Sequence, residues 1–258
     1  MQTVTSADGT KIAYDRYGEG SPVIMIAGAF NPRSATAPLA AALENRFTVL
    51  NPDRRGRGDS GDSTPYAVQR EIEDLAALIA DAGGSAAVFG YSSGAVLALE
   101  AAAHGLEITK LALYEPPYVD DTRPPPPADL LQQLDELLSA GRRGEAVELY
   151  QTKVIGIPED VVAQLRHAPF RPELEAIAHT LVYDATVMGD FRLPAERMAA
   201  IQTPTLVIAG GDSPPFLRNA AQAVAAALPN GEQRTLPAQT HYIDPEATAP
   251  LVAEFLTR

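Results

Sequence analysis

The stretch that decides the fold covers residues 85–94 and reads Ser85-Ala86-Ala87-Val88-Phe89-Gly90-Tyr91-Ser92-Ser93-Gly94. Its first half is a short apolar run, as expected of a buried strand, and the small residues at 95–104 predict a helix packed closely on a sheet. The Gly-x-Ser-x-Gly turn between them has glycine on both sides of Ser92, where side chains would clash in so tight a turn. The pattern predicts a strand, a strained turn and a helix, with Ser92 raised above the end of the strand.

Similar short apolar runs, bounded by Gly, Pro and Asp, alternate with helical stretches along the chain. The start of the chain alternates around Asp8-Gly9, which predicts an antiparallel hairpin. Further strands are predicted at 22–27, 47–50, 108–114, 204–209 and 232–236, and helices at 35–44, 67–82, 215–228 and 245–257. This order predicts an α/β fold, with a mostly parallel central sheet flanked by helices.

Residues 116–200 contain no apolar run of comparable strength. They include four consecutive prolines at 124–127, which predict a stiff connector, and candidate helices near 128–140, 144–154, 159–167 and 172–187. We interpret 116–200 as an all-helical cap, inserted over the carboxyl edge of the sheet where open α/β folds bind ligands. Residues 1–115 and 201–258 then form the core domain.

Composition narrows the class of partner. The formal net charge of −13 repels phosphate backbones, so nucleic acid is not an expected partner. No apolar run could span a bilayer, and the first residues lack the features of a secretory signal, so the expected location is cytoplasmic. The chain has no cysteine, which excludes disulfides and thiolate metal sites. We expect a small-molecule substrate, no cofactor or metal, and a monomer or homodimer.

A serine hydroxyl needs a base to remove its proton, and the chain has four histidines. His104 lies in the helix after the turn and is expected to point away from the strand ends. His167 and His179 lie in the helical insertion, where a surface or substrate-lining role is expected. His241 follows the last predicted strand, which makes it the candidate general base for Ser92.

A third motif, Asp53-Arg54-Arg55-Gly56-Arg57-Gly58-Asp59-Ser60, is similar to the D-x-R-G-x-G-x-S loop of the α/β-hydrolase superfamily. With Ser92 and His241 in the family's chain order, the sequence resembles a serine-nucleophile member with a helical cap over nearly its whole length. The resemblance implies that the turn at Ser92 is the family's nucleophile elbow. The arginine-rich loop is structural in the family, so it implies no catalytic role for that loop.

The resemblance also implies an oxyanion hole built from two backbone N–H groups. One is the N–H of Ser93, which follows the nucleophile. The other comes from the loop after the third strand, where the chain reads Ala27-Gly28-Ala29-Phe30. By position the donor is Ala29, with Phe30 as the second choice. Ala27 stands where the family usually has a histidine, so a side chain that normally supports the loop is missing.

Two carboxylates compete for the third place in the triad, whose role is to orient the imidazole. Asp212, in Gly210-Gly211-Asp212-Ser213, lies near the family's usual position but one residue early. Glu115 ends the predicted strand 108–114 and matches the alternative acid position that some members use. Because Asp212 lies one residue early, Glu115 is the favoured candidate for the triad acid, and both residues are kept as candidates.

Together these residues predict a serine hydrolase that cleaves an ester, thioester or lactone of a small, largely apolar substrate through an acyl-enzyme on Ser92. Serine at the turn argues against the haloalkane dehalogenase and epoxide hydrolase branches, which use aspartate there. A cofactor-free perhydrolase or haloperoxidase-like enzyme, a C–C bond hydrolase or lyase, and a non-catalytic ligand-binding member are the alternatives.

Overall fold

An eight-stranded sheet lies at the centre of the protein, and a computed structural model describes it together with all other residues, 1–258. The strands lie side by side in the order β1-β2-β4-β3-β5-β6-β7-β8. The pairs β1–β2 and β2–β4 are antiparallel, and all other pairs are parallel. The bounds are β1 (Gln2–Thr5), β2 (Lys11–Tyr17), β3 (Ser21–Ile26), β4 (Phe47–Pro52), β5 (Ala86–Tyr91), β6 (Ile108–Tyr114), β7 (Thr205–Gly210) and β8 (Gly231–Leu236).

Helices cover both faces of the sheet, which confirms the α/β fold class predicted from the sequence. Their bounds are α1 (Ala37–Leu43), α2 (Val68–Asp81), α3 (Ser93–Ala103), α4 (Leu130–Ser139), α5 (Arg143–Tyr150), α6 (Glu159–Leu165), α7 (Arg171–Ala176), α8 (Leu181–Met188), α9 (Ala195–Met198), α10 (Pro215–Ala227) and α11 (Pro245–Thr257). None of the helices combines the length and apolar character that a bilayer crossing requires.

The apolar runs form strands because both faces of the sheet are buried. Successive side chains of a strand point to opposite faces, so Ile24 and Ile26 of β3 pack in one apolar cluster, while Val23 and Met25 pack in the other. All six residues of β5 are buried. The strand that carries the Ser92 turn is therefore held on both sides, which fixes its carboxyl end in space.

The segment 116–200 contains helices α4–α9 joined by loops and contributes no strand to the sheet, and its single β-bridge, between Val119 and Arg192, is isolated. The single helix expected at 172–187 is divided into α7, a 3-10 turn at Ala178–Thr180, and α8. At this break the Thr180 hydroxyl donates to the carbonyl of Ile177 at 2.8 Å, a local bond that competes with helix geometry. Leu134 and Leu181 of this segment belong to the same apolar cluster as Ile24, so they pack continuously with one face of the sheet.

Candidate active site

The loops after five parallel strands bring the predicted site residues to one edge of the sheet. Ala29 follows β3, Ser92 follows β5, Glu115 follows β6, Asp212 follows β7 and His241 follows β8. The carboxyl ends of parallel strands meet at the same edge, so residues far apart in sequence become neighbours there. This is the edge at which the sequence predicted the site.

Backbone strain is concentrated in the same loops. Four of the five non-glycine residues with positive φ lie there: Phe30 at 63°, Ser92 at 56°, Glu115 at 48° and Ala238 at 58°. This left-handed region is unfavourable for residues with a side chain, and it persists only where the surroundings enforce it. The strain therefore marks these loops as the candidate functional part of the molecule.

The turn at Ser92 connects β5 directly to α3. Ser92 has φ 56° and ψ −124°, and its N–H donates to the carbonyl of Tyr114 on the neighbouring strand at 2.9 Å. The glycines permit close approach: a Cβ on Gly94 would lie 2.4 Å from the Ile26 carbonyl oxygen, and one on Gly90 would lie 2.6 Å from Cα of Ala95. The strand, turn and helix follow one another as the sequence predicted, but the helix begins at Ser93, two residues before the predicted start at 95.

His241 lies against Glu115, the favoured one of the two candidate acids. His241 Nδ1 is 2.6 Å from Glu115 Oε2, and because a carboxylate only accepts, this nitrogen carries the proton. The other oxygen, Oε1, accepts from the Gly210 N–H at 2.7 Å, and the Glu115 side chain is completely buried. The hydroxyl of Tyr114 donates to the Thr240 carbonyl at 2.6 Å, which anchors the loop carrying His241. Glu115 is thus fixed, and in turn it fixes the imidazole.

Asp212 is not brought to His241. Its side chain is exposed and makes no hydrogen bond or ion pair, while its N–H donates to the carbonyl of Gln239 at 2.8 Å. The loop after β8 passes directly over the end of β7, so that a Cβ on Gly210 would lie 2.4 Å from the Gln239 carbonyl oxygen. This path carries His241 beyond β7 to the end of β6, where Glu115 lies.

His241 also lies beside the Ser92 turn. Its ring centroid is 5.1 Å from that of Tyr91, the residue before Ser92. About a third of the His241 side chain is exposed. Ser92 and His241 form no hydrogen bond within 3.5 Å. Bonds of this type are often long until substrate is bound and then shorten. With Nδ1 protonated, Nε2 is the nitrogen that can accept a proton.

Of the two predicted oxyanion donors, Ser93 directly follows the candidate nucleophile, and Ala29 follows a glycine that packs against it. Gly28 packs against Ser92 so tightly that a Cβ on Gly28 would lie 2.8 Å from that of Ser92. The Ala29 N–H donates to no acceptor of the chain, and the Ser93 N–H, in the first turn of α3, has none within its own helix. Both N–H groups therefore remain available to a ligand.

The arginine-rich loop is buried rather than exposed. Arg54, Arg55 and Arg57 are each at most 5 % exposed and each contacts at least one carboxylate. One partner, Asp184 of α8, is a residue that the sequence reasoning did not identify. The signal for it was a single acid within the apolar run 181–188. Burial alone would raise the pKa of Asp184, but the charges of Arg57 and Arg54 outweigh burial and hold it below its ordinary value.

None of the other three histidines forms a hydrogen bond with Ser92, Glu115 or His241. His104 directly follows the last residue of α3 and donates from Nδ1 to the Glu100 carbonyl at 2.8 Å. It lines a cavity of about 420 Å³ beside α2, α3 and α8 that includes neither Ser92 nor His241. His179 Nε2 is 3.6 Å from Asp62 Oδ2. No group of three or more His, Asp or Glu side chains has an arrangement that could hold a metal ion.

Comparisons with known proteins identify the family of the chain. The family model described as "Alpha/beta hydrolase family" matches residues 23–254. A crystal structure of an alpha/beta hydrolase from Sphaerobacter thermophilus is 55% identical and superimposes with a TM-score of 0.94, covering 99% of this chain and 100% of that chain.

Two more distant relatives extend the comparison. A hydrolase from Pseudomonas aeruginosa is 24% identical, with a TM-score of 0.78 over 100% of this chain and 98% of that chain, and shows the same fold. A 2-(acetamidomethylene)succinate hydrolase from Mesorhizobium japonicum is 27% identical over 93% of this chain and 89% of its own length. The family match spans most of the chain, as the sequence resemblance implied, and the protein is therefore a member of the α/β-hydrolase family.

Proposed function

We propose that the protein is a serine hydrolase that cleaves a carboxylic ester, thioester or lactone of a small, largely apolar substrate through an acyl-enzyme on Ser92. The observation that carries the proposal is the 2.6 Å contact between His241 Nδ1 and buried Glu115, beside a serine held in a strained turn. Nucleophile, base and orienting acid are the three parts that acyl transfer by a serine requires.

In the proposed mechanism the Ser92 hydroxyl attacks the carbonyl carbon while His241 Nε2 accepts its proton. The negative oxygen of the tetrahedral intermediate accepts hydrogen bonds from the N–H groups of Ala29 and Ser93. The intermediate collapses, and the alcohol or thiol leaves with the proton from His241. Water then attacks the acyl-enzyme, giving its proton first to His241 and finally to Ser92, so that the carboxylic acid is released and the enzyme is restored.

The preference for an apolar acyl group is supported by aromatic side chains beside the oxyanion loop. Phe30 directly follows Ala29, and its ring meets that of Tyr150 edge to face with 5.5 Å between centroids. Tyr150 is 3% exposed. Apolar walls with a few fixed polar groups are typical of small-molecule sites. The relative that acts on 2-(acetamidomethylene)succinate is also a hydrolase, which is consistent with hydrolytic chemistry.

The test is a panel of p-nitrophenyl esters of increasing acyl length, assayed with wild type, Ser92→Ala and Ser85→Ala. Ser85 is an exposed serine just before the same strand, so its variant controls for the substitution itself. We expect kcat/KM to fall about 10⁴-fold or more in Ser92→Ala and to stay unchanged in Ser85→Ala. A fluorophosphonate should label the wild-type peptide that contains Ser92.

Equal activity of wild type and Ser92→Ala, or no ester cleavage and no labelling, would contradict the proposal. Peroxide added to the same assay distinguishes the perhydrolase alternative, because peracid would then form in place of free acid. Activity only on substrates cleaved at a C–C bond would favour that alternative. Stoichiometric binding of small molecules without turnover would favour a ligand-binding protein.

A further inference from the structure

A buried charge cluster contacts both Ser93 and the loop that carries Ala29, the two proposed oxyanion donors. At its centre is Asp184 of α8, whose side chain is completely buried. Its Oδ1 accepts from Arg54 Nη1 and from the Ser93 hydroxyl, both at 2.7 Å, and its Oδ2 accepts from Arg57 Nη2 at 2.6 Å. Hydrogen bonds to an ionised acceptor are stronger than neutral ones and more restrictive in geometry. One carboxylate thus binds the side chain of the residue that follows the nucleophile.

The same arginines reach the loop that carries the other donor. Arg57 Nη1 donates to the Gly28 carbonyl at 2.6 Å, and Arg54 Nη1 to the Ala27 carbonyl at 3.3 Å. The Gly28 carbonyl belongs to the same planar peptide group as the Ala29 N–H, and in a trans peptide the two point in opposite directions. Holding the carbonyl on Arg57 therefore aims the Ala29 N–H away from Arg57. A cationic donor on the carbonyl also polarises the N–H.

Asp184 is needed to keep Arg57 in this position. Arg54 has a second carboxylate partner in Glu71, bound through two contacts of 2.7 Å, whereas Asp184 is the only carboxylate that pairs with Arg57. The two arginines and two acids balance in charge. If the charge of Asp184 is removed, Arg57 keeps only neutral partners, including the Thr180 hydroxyl at 3.2 Å and the Gly28 carbonyl.

We propose that Asp184 is a positioning residue for the oxyanion hole, acting through Ser93 on one donor and through Arg57 and Gly28 on the other. It takes over the support that the loop lacks because Ala27 stands where a histidine is usual. The inference rests on the proposed acyl transfer at Ser92. The helical segment 116–200 would then contribute to catalysis, since its helix α8 supplies the Asp184 carboxylate.

The test compares Asp184→Asn and Ser93→Ala with the matched control Asp74→Asn. Asp74 of α2 binds Arg55 of the same loop through contacts of 2.7 and 2.8 Å, so the control removes a similarly buried ion pair that does not contact Ala27, Gly28 or Ser93. We expect kcat of Asp184→Asn to fall about 10²–10³-fold, as when an oxyanion donor is lost, with KM changed by less than about threefold. Ser93→Ala should lose roughly tenfold in kcat, because it removes one contact and keeps the N–H.

A second readout separates positioning from general stability. A trifluoromethyl ketone, which forms a tetrahedral adduct with the serine, should bind Asp184→Asn more weakly by the same factor as the loss in kcat/KM. Its affinity for Asp74→Asn should stay within about threefold of wild type. Equal kcat in Asp184→Asn and Asp74→Asn, or a rise in KM alone, would overturn the inference.

If Asp184→Asn does not fold, the inference is tested with Ser93→Ala alone, since this variant leaves the ion cluster intact. An unchanged kcat and an unchanged ketone affinity in Ser93→Ala would then overturn the inference. Failure of the proposed function is a separate outcome, because it would appear as full activity in Ser92→Ala. The two proposals can therefore fail independently.

Discussion

Glu115 combines three properties at one residue: complete burial, a positive φ and contacts from both carboxylate oxygens. Such a residue is costly to hold unless the surroundings determine it, since a buried acid needs partners and a positive φ strains the backbone. Both its partners come from the sheet edge, one from the end of β7 and one from the loop after β8. This arrangement separates Glu115 from Asp212, whose carboxylate faces solvent.

At this scale we expect Glu115→Gln to lower kcat by up to about 10⁴-fold, while Asp212→Asn stays within about twofold of wild type. The amide oxygen can still accept from the Gly210 N–H, so the side chain can keep its place. The amide group cannot, however, stabilise the imidazolium as a carboxylate does, and its NH₂ group facing Nδ1 favours the wrong tautomer. Steady-state ester hydrolysis by both variants measures this. A loss confined to Asp212→Asn would reverse the assignment, and two active variants would remove both acids from the triad.

At the scale of elements, the contact between α3 and β3 determines how the elbow is built. Gly94 lies where the first turn of α3 meets the carbonyls of Ile26 and Ala27, at distances that leave no space for a Cβ. The glycine is therefore required by close approach rather than by its own φ. The same approach puts the first turn of α3 beside the loop that carries Ala29.

We expect Gly94→Ala to destabilise the protein by about 1–3 kcal/mol, as overpacking of a tight contact does, and to lower kcat by displacing α3 from β3. Gly61→Ala is the matched control, because its Cβ would meet nothing closer than 3.3 Å and its φ is not positive. The control should stay within about 0.5 kcal/mol of wild type. Urea unfolding followed by circular dichroism gives both values. Equal stability of the two variants would show that the contact yields without strain.

At the scale of the whole molecule, buried carboxylates make stability depend on pH. Burial alone would raise the pKa values of Asp184 and Glu71, but the neighbouring arginines outweigh burial and hold both below their ordinary values. A lowered folded pKa means that the stabilisation is complete above the unfolded pKa and is lost as pH falls through the folded one. Asp74 and Glu100 act in the opposite sense, since burial raises their pKa values.

We therefore expect the free energy of unfolding to decrease as pH falls from about 5 towards 3, where the unfolded acids gain protons first. Glu71→Gln should be less stable at pH 7 and should show a shallower decrease, because one of the two buried carboxylates with a lowered pKa is gone. Urea unfolding at a series of pH values measures both slopes. A wild-type stability that is constant or increasing over this range would contradict the expected sign.

The sequence by itself determined the α/β fold and the candidate nucleophile and base. Apolar runs indicate buried strands, and a Gly-x-Ser-x-Gly turn between a strand and a helix indicates a local backbone constraint. Such signals are contained within a few consecutive residues, so no knowledge of neighbouring segments is needed to interpret them. The chain order of Ser92 and His241 then follows from the order of the strands.

Only the tertiary structure decided which carboxylate contacts His241 and brought Asp184 to Ser93 and Arg57. Glu115 and His241 are separated by 126 positions in sequence, and Asp184 and Arg57 by 127. Whether such groups come into contact depends on the path of a loop and on the position of a helix. Packing along the whole sheet edge determines both. The sequence therefore predicted an acid beside His241, and the course of the loop over β7 decided that the carboxylate in contact with His241 is that of Glu115.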